Sequence, residues 1–221
     1  MLKIRIRFSK SGPLRYIGHL DFLKVFQQTI RRAGIPIAYS QGFNPHQQLS
    51  FALPLPLGMT SLHDYADITL ESEMPSQTII SLLNTHAPSG LDIAAVWPFE
   101  GAGVAALTAV ADYHMAIDSH NHQTPDAIKT LLNQENIIIP KKTKSGIKDT
   151  DIRPDILNLQ AEANIIKMRL SAGSARFINP LAVAKLILNQ DADISSITRA
   201  ELYRISKSSQ EIIPIYEAPI H

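Results

Sequence analysis

Ile156-Leu-Asn-Leu-Gln-Ala-Glu-Ala-Asn-Ile-Ile-Lys-Met-Arg-Leu170 reads as two strands, 156 to 163 and 164 to 170, with room between them for no more than a tight turn. Strands joined that closely run antiparallel, because a parallel pair needs a crossover of about a dozen residues or more. Elsewhere the chain alternates strand and helix in a way that a doubly wound parallel sheet would also allow. This run therefore favours an α+β fold containing antiparallel sheet.

Working outward from it, residues 105 to 118 predict a long strand. Thr124 caps a helix with Pro125 at its first position and Asp126 in its first turn, running to about Asn133. Ile137 to Ile139 predicts a strand, and Pro140 to Thr150 a lysine-bearing loop. After residue 170, Asn179-Pro180 repeats the cap-plus-proline signal before an apolar helix, Leu181 to Leu188, and Leu202 to Ile205 supplies a closing strand. The N-terminal part has the same rhythm. Leu2, Ile4, Ile6 and Phe8 alternate with Lys3, Arg5 and Arg7, the period of a strand with one buried face. Leu23, Phe26, Ile30 and Ala33 fall at helical spacing within 19 to 33, and Gly34 and Pro36 stop that helix. Short strands fit Ile35 to Tyr39, Leu49 to Ala52 and Tyr65 to Leu70. A helix opens at Pro75-Ser76, and a last strand covers 91 to 97. The expected architecture is two tandem ferredoxin-like (βαββαβ) halves, residues 1 to 100 and 104 to 221, linked by Gly101-Ala102-Gly103.

Composition narrows function by exclusion. Of 221 residues, 45% are hydrophobic and 19% charged, and mean hydropathy is near zero, as in folded globular proteins. The formal net charge of +1, from 21 Lys and Arg against 20 Asp and Glu, leaves no overall field to hold a polyanion, so any nucleic-acid contact must be local. No cysteine is present, which removes disulfides, thiolate nucleophiles and cysteine-ligated zinc or iron–sulfur sites. The closest histidine pair, His120 and His122, sits in a polar run that predicts a loop. No metal site and no cofactor bound by the chain itself are expected. No stretch is apolar enough to span a bilayer and the first residues alternate like a strand, so a cytoplasmic protein without membrane contact is expected.

The segment Arg15 to Ser61 is the richest in functional groups. Arg15, Tyr16, His19, Arg31, Tyr39, Phe43, Asn44 and His46 supply donors, acceptors and aromatic faces within one structural unit. They form the candidate substrate- or RNA-binding set. His19 and His46 are the candidate acid/base groups, since imidazole titrates near neutral pH. The competing expectation is structural: Asp21 favours the positive helix end, Tyr16 and His19 pack the loop, Phe43 plugs the local core and His46 caps a carbonyl. Gly42 is expected in a backbone region closed to other residues, and Asn44-Pro45 in a turn. Lys141, Lys142, Lys144, Lys148 and Arg153 make a candidate basic patch, diluted by Asp149, Asp151 and Asp155. Gly173-Ser174-Ala175-Arg176 is a weak phosphate-cradle candidate. Asp64 and Asp67 read as structural carboxylates at and inside a strand.

Tyr39-Ser-Gln-Gly-Phe-Asn-Pro-His46, the preceding Arg15-Tyr-Ile-Gly-His-Leu-Asp21, the Arg153-Pro154-Asp155 turn and the stretch Arg199 to Tyr203 together resemble the uncharacterised bacterial radical-SAM-linked family. Its members occur beside, or fused to the C-terminus of, radical SAM proteins that often carry a cobalamin-binding-like domain. The resemblance implies a radical SAM protein as partner. Without cysteines this chain could only be the accessory part of such a system. Three functions follow as expectations: a recognition protein working with a radical SAM enzyme and binding RNA, a metal-independent RNA-processing endoribonuclease using His19 or His46, and a purely structural adaptor.

Overall fold

Alternating apolar and charged residues at the N-terminus form the first strand of the computed structural model, which describes residues 2–117, 124–143, 146–174, 176–189, 196–206 and 208–216. In β1 (Leu2–Lys10), Ile4, Ile6 and Phe8 are buried against α1 (His19–Arg32) and α2 (Ser76–His86), while Arg5 and Arg7 lie on the other face. The buried stripe of α1 is Phe22, Phe26, Thr29 and Ile30, so the helix is rotated toward Phe22 from the expected Leu23 face. Phe26 stands 5.2 Å from Phe8, ring centre to ring centre, in a tilted contact of the kind aromatic pairs favour. Gly34, at φ +64°, takes the left-handed position after the helix that a side chain would resist.

Around β1 the sheet adds β4 (Leu91–Pro98) on one side and β3 (Thr60–Leu70) on the other, with short β2 (Leu49–Phe51) on the outer edge of β3. All these pairings are antiparallel. The expected strand at Ile35 to Tyr39 reduces to isolated bridges, Ile37 to Leu70 and Tyr39 to Gln47, because Pro36 and the corner at Ala38 interrupt a ladder.

The second half departs more from expectation. The predicted strand from 105 begins instead as a short helix, α3 (Val104–Leu107), and the strand is β5 (Val110–Ala116). Arg5 holds Asp67 through bonds of 2.7 and 3.0 Å, and the second carboxylate oxygen accepts the Val104 N–H at 2.6 Å. A buried carboxylate thus anchors the start of that helix, where negative charge is favourable. After α4 (Thr124–Leu132), the predicted lysine loop is a hairpin, β6 (Ile138–Thr143) and β7 (Gly146–Asp151), forming its own two-stranded sheet. β8 (Ile156–Glu162) and β9 (Ile165–Ser171) pair antiparallel, as the opening run requires. Asn179 Oδ1 accepts the Leu181 N–H at 3.0 Å and caps α5 (Pro180–Leu188) as expected. The closing strand is longer than predicted, β10 (Ile197–Ile205), with β11 (Ile212–Pro214) beside it.

The result is a mixed α+β structure with a nine-stranded, mostly antiparallel sheet in the order β4-β1-β3-β10-β5-β9-β8 and five helices among the described residues. One pairing, β3 with β10, is parallel and joins the first 100 residues to the rest through Thr60 with Thr198 and Ser61 with Arg199. At this seam Arg199 is fully buried, and its guanidinium holds Asp64 at 2.6 and 2.8 Å. It also donates to the carbonyls of Leu53 at 2.9 Å and Pro54 at 3.3 Å.

Removing one partner of such a pair strands the other charge in the interior, so Arg199→Met should cost about 3–5 kcal/mol in urea unfolding. Adding Asp64→Leu should return part of that loss. A single variant as stable as the parent would show that the seam does not depend on the pair.

Candidate functional site

Four polar side chains gather on the helix-covered face at the seam. Asp64 sits opposite Phe8 of β1, and Lys10, at the end of that strand, sits opposite Ser61. Lys10 is buried; its Nζ donates to the Ile17 carbonyl at 3.2 Å and lies 4.9 Å from the centre of the Phe22 ring. Burial pulls its pKa below the ordinary lysine value and the Arg199 charge adds to that, while Asp64 opposes it. Two buried cations therefore lie in the field of one carboxylate, Asp64, and backbone carbonyls of Ile17, Leu53 and Pro54 accept hydrogen bonds from them.

His19 opens α1 beside this cluster. Its ring meets Phe51 edge-on at 5.7 Å. Partial burial lowers its pKa from the ordinary 6.5, and the Lys10 charge lowers it further. The cleft here is lined by Phe8, Lys10, His19, Phe22, Phe51 and Asp64 among others, and it has room for about one water molecule. Such a space is far below the roughly 300 Å³ at which small-ligand pockets begin.

The loop Leu53-Pro-Leu-Pro-Leu-Gly58 closes over Arg199 with its first two carbonyls, and the Gly58 N–H donates to the Arg15 carbonyl at 2.8 Å. Arg15 lies in the 3-10 turn Gly12–Tyr16, half-buried. Outward from this frame the side chains are apolar: Tyr16 is 69% exposed, Leu20 70%, Leu57 58% and Leu62 51%.

The other expected residues lie apart from His19. The loop carrying Tyr39, Phe43, Asn44 and His46 is anchored where Ala38 N–H donates to the Thr69 carbonyl and Thr69 N–H to the Gln48 carbonyl. Thr69 is eight residues along β3 from Ser61, roughly 26 Å of strand. None of Tyr39, Asn44 or His46 lines the His19 cleft. Phe43 is fully exposed and does not plug the core, since the bent loop between Ser40 and His46 carries it away from any packing partner. The His46 backbone closes this loop: its N–H donates to Ser40 Oγ at 3.0 Å and its carbonyl accepts the Ser40 N–H at 2.8 Å. Gly42, at φ +123°, has the backbone expected of it.

Arg31 is exposed on α1. Lys141 and Lys142 fall on the β6–β7 hairpin instead of a loop, Lys141 opposite Lys148, and Lys141 Nζ donates to the Phe177 carbonyl at 3.0 Å. Arg153 donates to the Leu132 carbonyl at 3.2 Å, so it serves the fold. Lys144, His120, His122 and Ala175 lie outside the described residues. Arg176 is spent on the buried Asp155 carboxylate at 2.8 Å. Among the described residues no group of three or more His, Asp or Glu converges to hold a metal ion, and no helix is long and apolar enough to cross a membrane.

Sequence reasoning placed His19 and Asp64 but missed Lys10 and Arg199 as members of the cluster. Both sit in strands where a charge interrupts an apolar pattern, and that interruption was the available signal.

A family model described as an uncharacterized protein conserved in bacteria (DUF2344) matches residues 3–180. The chain belongs to this family. The match spans the whole first half and the hairpin, and it ends at the start of α5. No curated protein matches the chain. Among solved structures, a protein of unknown function from Galdieria sulphuraria is similar at 10% identity, covering 85% of this chain and 88% of that one, with a TM-score of 0.28.

Because the folded imidazole of His19 binds protons less readily than the unfolded one, the unfolded chain gains more protons below pH 6.5. His19 should therefore subtract stability as pH falls from 6.5 toward its folded value, and contribute no pH dependence above 6.5. NMR titration should find it below 6.5, and Lys10→Met should move it upward. An unshifted His19 in both proteins would refute this electrostatic account.

Proposed function

We propose that this chain is a non-catalytic recognition protein that docks onto a radical SAM partner enzyme through the surface built by the Arg15 to Ser61 segment and its immediate neighbour Leu62. The observation that carries the reading is the placement of exposed apolar side chains. Tyr16, Leu20, Tyr39, Phe43, Leu57 and Leu62 make up half of the large exposed hydrophobics among the described residues, and all fall within 47 consecutive positions. Tyr16, Leu20, Leu57 and Leu62 belong to the His19 end, where the Gly58 N–H meets the Arg15 carbonyl, and Tyr39 and Phe43 to the separate loop closed by His46. The first group is the proposed docking surface, because exposed apolar side chains mark interaction sites. The polar groups beneath Tyr16 and Leu20 are committed to one another in a cleft with room for about one water. That supports recognition over RNA cleavage by His19.

The identity of the partner rests on the resemblance of the Arg15–Asp21 and Tyr39–His46 motifs to the radical-SAM-linked family. RNA binding is the accompanying role, supported by the fully exposed Phe43 beside Tyr39 and His46 in one loop, since exposed rings stack on unpaired bases. A cytoplasmic setting fits a chain without cysteine. The tandem ferredoxin-like reading draws support from strand order. The first half runs β4-β1-β3 with β2 outermost and the second β10-β5-β9-β8, so each follows a fourth-first-third-second arrangement with antiparallel neighbours.

Co-purification of this chain with a radical SAM protein from the same organism should give a complex at about 10 μM. Leu20→Asp and Leu57→Asp, both at exposed positions, should abolish it without lowering the melting temperature. Failure of the parent chain to associate at that concentration would sink the proposal. Neither structured nor single-stranded RNA should be cleaved, and cleavage that disappears in His19→Ala would instead favour the enzyme.

A further inference from the structure

On the opposite face of β3 from His19, a groove of about 300 Å³ opens between the edge strand β2 and the segment that leads into α3. Its walls include Lys3, Gln48, Ser50, Thr69 and Phe99. A volume of this order is at the lower end of what small-ligand sites offer. It is the only one of the two spaces flanking β3, this groove and the His19 cleft, large enough for more than a water.

The chemistry of the walls is selective. Asp67 lines the groove, but both its carboxylate oxygens are spent on Arg5 and the Val104 N–H, and Arg5 is in turn committed to Asp67 and the Ala102 carbonyl. The charge left for a ligand is that of Lys3, exposed beside Thr69, its cross-strand partner. The Phe99 ring is held by Arg5, whose guanidinium carbon lies 4.3 Å from the ring centre, and by its own N–H donating to the Lys3 carbonyl at 3.1 Å. A fixed aromatic ring therefore stands close to a cation. The hydroxyls of Ser50 and Thr69 and the Gln48 amide add both donors and acceptors along the same walls. Gln48 Nε2 spends one hydrogen on the Tyr39 carbonyl at 3.2 Å, which orients the amide.

We propose that this groove binds a nucleoside monophosphate unit, the base against Phe99 with its edge read by Gln48, Ser50 and Thr69, and the phosphate on Lys3. A flat ring with mixed donors and acceptors on its edge and one anionic group matches each wall; a purely apolar ligand would leave the polar groups unpaired, and a cation would meet Lys3. The same unit can come as a free nucleotide or as one residue of a single-stranded RNA. The groove takes Gln48 and Ser50 from the Arg15 to Ser61 segment but opens on the opposite face of β3 from His19, so Leu20→Asp tests docking and Lys3→Ala tests the groove separately.

The test is isothermal titration of the full chain with adenosine 5′-monophosphate and, in parallel, with a single-stranded five-residue oligoadenylate. Saturable binding of at least one, with a Kd below about 1 mM, is expected. AMP binding assigns the site to free nucleotides, and binding of the oligonucleotide alone assigns it to RNA. Lys3→Ala removes an exposed side chain and should weaken binding about tenfold. Ser50→Trp should fill the groove and abolish binding with the melting temperature unchanged. The proposal is overturned if neither ligand saturates, or if Lys3→Ala binds as tightly as the parent chain.

Discussion

A fully buried guanidinium needs acceptors for its hydrogens and an answer to its charge, and Arg199 finds them in Asp64 and in the carbonyls of Leu53 and Pro54. Asp64 comes from β3, the carbonyls of Leu53 and Pro54 from the loop before it, and the arginine itself from β10. The contact therefore only exists when the parallel β3–β10 seam has formed. A parallel pairing of two residue pairs, at the starts of β3 and β10, is a weak join by itself. With the ion pair beneath it and the Thr60–Thr198 hydroxyl contact of 2.8 Å beside it, the seam turns two four-strand arrangements into one sheet.

That constraint also explains the character of the motif segment. The 53–58 loop is held over Arg199, Gly58 ties it to Arg15, and Lys10 ties the strand end to Ile17. The charges turned inward as fasteners are Lys10, Asp64 and Arg199, while Tyr16, Arg31, Tyr39, Asn44 and His46 stay exposed. Among the side chains facing outward from these tied segments are the apolar Tyr16, Leu20, Leu57 and Leu62, whose exposure carries a cost in hydration that binding recovers. Fastening on the inside and stickiness on the outside are two sides of one loop system. Likewise Asp67, which reads as a lone carboxylate in a strand, serves Arg5 and the first N–H of α3, and in doing so shapes the groove on the opposite face without lending it charge.

The first half was largely legible in the sequence because its signals are local. Alternation in β1, the helical repeat ending at Gly34 and the apolar run of β4 each reflect one buried face, and β8 with β9 had to be antiparallel for want of linking residues. Two elements were misread for a physical reason each. Residues 104–107 have the composition of a strand but are recruited into a helical turn by the Asp67 carboxylate, 37 positions earlier. The lysines of 141 to 148 look like a loop because charge hides the period of a hairpin that packs only through a few positions. For Phe43, read both as a binding ring and as a core plug, the short bent loop leaves nothing to pack against and the ring is exposed.

Of the site, local sequence identified the segment and the residue types but not their company. By itself the sequence determined the α+β class, the absence of any thiol chemistry, the start of α1 at His19 and the tight antiparallel turn after Glu162, since each follows from composition or from residues within one element. Only the tertiary structure decided that Lys10, Asp64 and Arg199 meet, that His46 does not join His19, and that one face of β3 closes to the size of a water while the other stays open. The contacts that decide this join residues up to 146 positions apart, and no local pattern records which strand will lie beside which.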